Sequence, residues 1–339
     1  MFKPAKVIFD EKSLEYPLGK RLFSYFDEED TEVIVNKGGR FIGKKSESPI
    51  QSFISGKSSL VVGVRKITEF QSCKPSANYQ LPLISGCSGM CEYCYLNTQL
   101  GKRPYTKIYV NVDEILEKAL NYINERKPKT TTFEGAATSD PIPTEEYTGA
   151  MKTAIEFFGS NEYSYFRFVT KFSNVDSLIG AKHNGRTTIR FSLNTDKIIR
   201  EFERGTDPFI KRIEAAKKLY NDGYKIGFII APVFIYENWM EEYENLIKKI
   251  GEEFRAIDKK IEIEVISHRY TERAKNQILS VYPESKLPMD KENRTLKYGQ
   301  FGYTKYVYDK EELERMKIFF KDKASKYIKN CIIKYIIWW

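Results

Sequence analysis

The chain holds 339 residues, 41% of them hydrophobic, and carries a formal net charge of +9. That length suits one large domain with an appendage, or two domains, and the apolar content excludes wholesale disorder. The positive charge points either to a polyanionic partner, most commonly nucleic acid, or to nothing more than a lysine-rich surface.

Taken in chain order, the stretch Met1–Lys20 lacks the apolar run of a signal peptide, and no window resembles a membrane span, so a cytoplasmic protein is expected. Residues 1–75 are mixed in pattern. Residues 37–53, rich in Gly, Ser and Lys, read as loop, and Ser58–Lys66 reads as a strand. From about Gln80 short β-branched runs alternate with amphipathic stretches. YQLPLI reads as a strand ahead of a cysteine-rich loop, and Ile108–Val112 as another behind it. A helix is expected over Asp113–Arg126, a strand over Thr130–Gly135 and one helix over Glu145–Phe158. Strands then fall at Phe166–Lys171, Thr187–Asn194, Lys225–Phe234 and Ile261–His268. The intervening helices include one that ends at Gly223 and one over ERAKNQILSVY. The apolar tail CIIKYIIWW reads as a terminal strand.

Such alternation predicts parallel βαβ units, six or seven of them, short of the eight of a closed barrel. An open, partial (β/α)6-type TIM barrel fits, with residues 1–78 as an N-terminal extension, 79–290 as the barrel and 291–339 as a C-terminal hairpin, helix and tail. In such folds the site lies at the C-terminal ends of the strands, where the cysteine loop also falls.

Five cysteines are present, and Cys87, Cys91 and Cys94 crowd into eight residues, which is not the pattern of a disulfide framework. A C-x3-C-x2-C triad offers three thiolates to a [4Fe-4S] cluster and leaves one iron open for chemistry. The competing reading is structural zinc, which wants four closed ligands. The only histidines, His183 and His268, lie far away in sequence, and Cys73 is the remaining nearby thiol.

The triad, with the aromatic Tyr93 just before its last cysteine, resembles the radical SAM motif. A narrower resemblance spans roughly residues 8–310: GCSGMCEYCYLNTQLGKRPYTKIYVNVDEI, FEGAATSD, RFVTKF, KHNGRTTIRFSLN, GYKIGFIIAP, SHRYTERAK and KYGQFGYTKYVY occur in the order of the spore photoproduct lyase family. The resemblance implies a [4Fe-4S] cluster on Cys87, Cys91 and Cys94 and S-adenosylmethionine as second cofactor. It places Tyr93 beside SAM, and Tyr93 and Tyr95 in a hydrogen-atom relay. It puts Ser139, Lys171, Ser192, Asn194 and Ala231 around SAM. The implied reaction is reversal of the spore photoproduct, a methylene-bridged thymine dimer in double-stranded DNA, to two thymines through a 5′-deoxyadenosyl radical. An electron donor such as flavodoxin or ferredoxin is implied as partner.

One departure concerns the final step. Where the family carries a hydrogen-donor cysteine, this chain has Ala137, which has no S–H to give. Three readings stand open: an engineered change, a natural variant whose donor is Cys73, Tyr95 or an external thiol, or a sister group with another nucleic-acid substrate. Toward the C-terminus, Arg294–Tyr308 interleaves basic and aromatic residues around two glycines and reads as a hairpin that enters DNA at a lesion. Arg294, Lys297 and Lys305 are expected to serve phosphates, and Tyr298 or Phe301 to wedge the bases. Gln300 stands at the tip, where the family tends to carry Arg.

Overall fold

The computed structural model describes residues 2–29, 31–38, 48–99, 101–256, 258–292, 294–298 and 304–337. They fall into two compact units, one of Met1–Met90 with Leu96–Thr188 and one of Cys91–Tyr95 with Ile189–Trp339.

The first unit carries β1 (Lys6–Asp10), β2 (Glu32–Asn36), β3 (Ser59–Gly63), β4 (Ala77–Gln80), β5 (Thr106–Tyr109), β6 (Thr131–Glu134) and β7 (Ser164–Thr170). These strands form two groups. In one, β1 lies between β2 and β3, and β3 pairs in turn with β5, all parallel. Every residue of β3 is buried, as a strand covered on both faces requires. In the other, β4, β6 and β7 are parallel neighbours, with Tyr79 opposite Phe133 and Phe133 opposite Phe166. Phe133, Phe158 and Phe166 stack in a row at centroid spacings of 5.0 Å behind this second group.

Four expectations are corrected here. Residues 106–109 join the N-terminal sheet rather than the barrel group, because strand–helix alternation does not say which sheet a strand enters. The single strand expected over YQLPLI is two pieces. Its first half pairs with β6, while Ile84–Ser85 pairs antiparallel with β5. Pro82 lies between them and has no N–H for a ladder. The one helix expected over Glu145–Phe158 is likewise two, Ile142–Thr148 and Ala150–Gly159, divided at Gly149, whose φ of 65° is left-handed. Part of the stretch 37–53 also proves helical. Residues 39–47 lie outside the described residues, but Pro49–Lys57 is a helix, entered through a capping box between Ser48 and Gln51.

The second unit carries most of β8 (Thr187–Leu193), then β9 (Lys225–Val233), β10 (Ile261–Ser267), a hairpin of β11 (Thr295–Tyr298) and β12 (Thr304–Val307), and β13 (Cys331–Ile337). Strand order is β8–β9–β10–β13, and the tail is the terminal strand expected, with Ile263 opposite Phe228 on one side and Ile333 on the other. Helices Phe209–Asn221, Trp239–Glu253 and Glu272–Val281 follow successive strands near their expected limits. Gly223, at φ 97°, closes the first of these. Arg190 of β8 reaches Glu264 of β10 at 2.7 Å, and the pair is almost fully buried. It crosses β9 at Gly227, where a Cβ would come within 3.2 Å of the Arg190 side chain. Among the described residues no helix is long and apolar enough to cross a membrane.

Candidate active site

In the first unit the chain leaves β6 at Glu134 and runs through Gly135–Asp140. Gly86, the residue before Cys87, donates its N–H to the Thr138 carbonyl at 2.9 Å and bridges Ser139. Only glycine serves at 86. Its φ is 79°, and a Cβ would stand 2.2 Å from the Tyr105 carbonyl oxygen. Buried Lys57 donates to the Cys87 carbonyl at 2.8 Å, and the Gly89 N–H points at the Cys87 sulfur at 3.2 Å.

Asp140 ties this loop to the end of β7. One carboxylate oxygen accepts from the Thr170 hydroxyl at 2.8 Å, the other from the Lys171 N–H at 2.8 Å. Burial outweighs these bonds and raises its pKa to about 6. Ser139 and Lys171, two of the expected SAM contacts, are thereby brought together.

Ala137 lies half-buried in the same loop. The neighbouring Ala136 N–H donates to one oxygen of Glu134 at 3.2 Å, while the Ser76 hydroxyl donates to the other at 2.6 Å. Ser76 belongs to the turn between Cys73 and Ala77, which face each other in a short antiparallel pairing. The Cys73 turn and the Ala137 loop therefore meet on one carboxylate.

In the second unit, the Glu92 N–H of the cysteine loop donates to the Phe202 carbonyl at 2.9 Å, and its buried carboxylate takes Arg204 at 3.0 Å and the Ser285 hydroxyl at 2.7 Å. Tyr93 donates its hydroxyl to Glu203 at 2.5 Å, and burial holds that phenol well above its ordinary pKa. Tyr95, by contrast, is 53% exposed. Ser192 is buried near the end of β8. Asn194 is bonded within the protein: its amide donates to the Pro232 carbonyl at 2.8 Å and accepts from the Tyr243 hydroxyl at 2.8 Å. It clamps the strand end beside Ala231, which is half-buried.

The hairpin pairs Lys297 directly opposite Lys305 and leaves Tyr298 77% exposed. Gln300 and Phe301 lie outside the described residues. Arg294 departs from its expected place among the phosphate contacts. Its guanidinium turns inward to the His268 and Pro288 carbonyls, both at 2.9 Å, and lies 3.5 Å over the Tyr308 ring. Burial, and then that cation, hold the His268 imidazole well below its ordinary pKa. Arg294 thus roots the hairpin.

Among the described residues no three His, Cys, Asp or Glu side chains converge as they would on a single ion. The donor set itself fits a larger cluster: three thiols on one loop, none in a disulfide, Cys91 buried and Cys87 and Cys94 half-buried, with a backbone N–H already aimed at the Cys87 sulfur. Lys57, Glu134, Glu203 and Arg212 were not singled out from the sequence. A buried charge is announced only by the partner that folding brings to it.

A three-thiol loop set at the ends of parallel strands in an α/β fold defines a class, the radical SAM enzymes. Within it, the family model for spore photoproduct lyase matches residues 2–337, and the chain belongs to that family. A spore photoproduct lyase of Clostridium acetobutylicum is 54% identical over 332 residues, 98% of each chain. A spore photoproduct lyase mutant solved with dinucleoside spore photoproduct is similar at TM-score 0.96 and 40% identity, over 99% of each chain. A double mutant with bound AdoMet and dinucleoside spore photoproduct matches equally, at TM-score 0.96 and 40% identity over 99% of each chain. The expected fold class, an α/β partial barrel of the radical SAM type, holds.

Proposed function

We propose that this chain is a radical SAM DNA-repair lyase that reverts the spore photoproduct to two thymines. The observation that carries the reading is the bridge of Gly86 to Thr138 and Ser139, which sets the start of the cysteine loop against a strand end bearing an expected SAM contact. Cys87, Cys91 and Cys94 would hold the [4Fe-4S] cluster. When bound, cluster and SAM supply a 5′-deoxyadenosyl radical.

The protein's own groups do the rest. Ser139, Lys171, Ser192 and Ala231 bind SAM, the Lys171 ammonium suiting its carboxylate. Asp140 and Asn194 set those strand ends. With Ala137 in place of a donor, Cys73 is the thiol whose turn shares Glu134 with the Ala137 loop. Its S–H bond would break as a C–H bond forms on the thymine radical, leaving a thiyl radical on Cys73, and the relay of Tyr93 and Tyr95 would restore the thiol and take back the hydrogen that 5′-deoxyadenosine carries, so that SAM is regenerated.

The hairpin supplies the grip on double-stranded DNA. Like charges directly opposite on paired strands repel, and a phosphate between Lys297 and Lys305 relieves that. Tyr298 is exposed for a lesion already loosened in the stack. A cytoplasmic location and a flavodoxin or ferredoxin as electron donor complete the proposal.

The test is an anaerobic assay of reconstituted protein on a spore-photoproduct dinucleotide. The intact chain yields thymines. Cys73→Ala still consumes the lesion but diverts it to adducts, and adding Ala137→Cys restores thymine. SAM cleavage with the lesion untouched would move the substrate to another nucleic-acid modification.

A further inference from the structure

We propose that Glu203 is the positioning residue for Tyr93 of the cysteine loop, and that Arg212 carries this restraint to the strand bearing Ser192. The inference deepens the radical SAM reading and rests on it. Four residues of the second unit form one hydrogen-bonded line. The Tyr93 hydroxyl donates to one Glu203 oxygen at 2.5 Å, and the other oxygen pairs with Arg212 at 2.7 Å. A second Arg212 nitrogen donates to the Ser192 carbonyl at 2.8 Å, the residue expected to touch SAM. The remaining guanidinium bonds go to the Asp207 carbonyl at 2.7 Å and the Thr206 hydroxyl at 2.9 Å, which fixes the turn after Glu203.

Two arguments set this apart from ordinary packing. First, the Glu203 and Arg212 side chains are both 0% exposed. Burying two charges brings little net stability that apolar side chains of the same volume would not match. What such a pair offers is direction: a carboxylate aimed at one hydroxyl and a rigid fork aimed at one carbonyl. Second, the backbone repeats the link: the Phe202 carbonyl, next to Glu203, accepts the Glu92 N–H at 2.9 Å. The same segment therefore holds the loop by its main chain and, through Glu203, by the side chain that stands between Cys91 and Cys94. Fixing Tyr93 fixes the stretch that presents two of the three thiols.

The experiment is a double-mutant cycle on the full-length, anaerobically reconstituted protein. SAM affinity is read from the change in the electron paramagnetic resonance signal of the reduced cluster, with melting temperature followed in parallel. Glu203→Gln and Tyr93→Phe are each expected to weaken SAM binding about ten-fold, and the double variant no further than the weaker single one, as members of one unit behave. Losses that add, or single variants that melt earlier yet bind SAM unchanged, overturn the proposal. If Glu203→Gln leaves Arg212 too poorly compensated to fold, Tyr93→Phe decides alone: a ten-fold loss supports the restraint, and unchanged affinity overturns it. Failure of the unsubstituted protein to hold iron or bind SAM removes the radical SAM reading and this inference with it. Normal binding there, with additive variants, removes only the inference.

Discussion

Asp140 shows how one buried carboxylate ties the ends of two neighbouring strands together. Its two oxygens accept the Thr170 hydroxyl and the Lys171 N–H. Replacing it by asparagine keeps an acceptor for Thr170 but sets an amide N–H against the Lys171 N–H, donor against donor. Asp140→Asn is therefore expected to weaken SAM binding by about ten-fold, an order-of-magnitude reading of one lost charge-assisted bond, as measured by titrating SAM into the reconstituted protein. At this scale the sequence is legible in parts. The cysteine triad declares itself by spacing alone. Ser139, Lys171, Ser192 and Ala231 stand out only because they match a family pattern, since a serine or lysine at a strand end is otherwise an unremarked cap or surface charge. Lys57, Glu203 and Arg212 gave no signal at all. Each sits on a segment whose local pattern is ordinary, and its partners come only with folding: the Cys87 carbonyl for Lys57, the Tyr93 hydroxyl for Glu203, the Ser192 carbonyl for Arg212.

Among the elements, the hairpin is where sequence and structure agree on form and divide on roles. Alternating basic and aromatic residues predict two paired strands, and β11 and β12 pair over Thr295–Tyr298 and Thr304–Val307. The pattern did not reveal that Arg294, at its base, is committed to His268 and Tyr308. In the DNA grip proposed above, the facing pair Lys297 and Lys305 serves the phosphates. Lys297→Gln is expected to lower the slope of log K against log salt for duplex DNA by about one ion, with lesion preference retained. An unchanged slope in a salt titration would remove the lysine from the interface. Elsewhere, element types were well legible and allegiances were not. The apolar periodicity of β5 identifies a strand, but its partner β3 follows from how the N-terminal strands stack. The helix break at Gly149 was signalled by a glycine that the helical period around it overrode.

For the whole molecule, two buried carboxylates set an unusual dependence of stability on acidity. Burial raises Asp140 from 3.8 to about 6 and Glu145 from 4.5 to about 7. Between those values the folded chain keeps both protons while the unfolded chain has released them, so stability falls as pH rises through this window and levels off above it. Each group contributes a loss on the order of 3 kcal/mol. Glu69 and Glu244, whose pKa values are lowered, work in the opposite sense, but from solvent, where screening leaves them little weight. Melting temperature is accordingly expected to drop between pH 5 and pH 7, and Glu145→Gln to flatten the curve. A melting temperature that climbs across this range would refute the assignment.

The Arg190–Glu264 pair that crosses β9 at Gly227 has an evolutionary consequence. Losing either charge strands the other in the core, and a side chain at 227 crowds the arginine, whose Cγ would lie 3.2 Å from the added Cβ. No single step leads to an apolar replacement without passing through an unstable intermediate. Lineages of this fold are therefore expected to keep all three residues or to have exchanged them together.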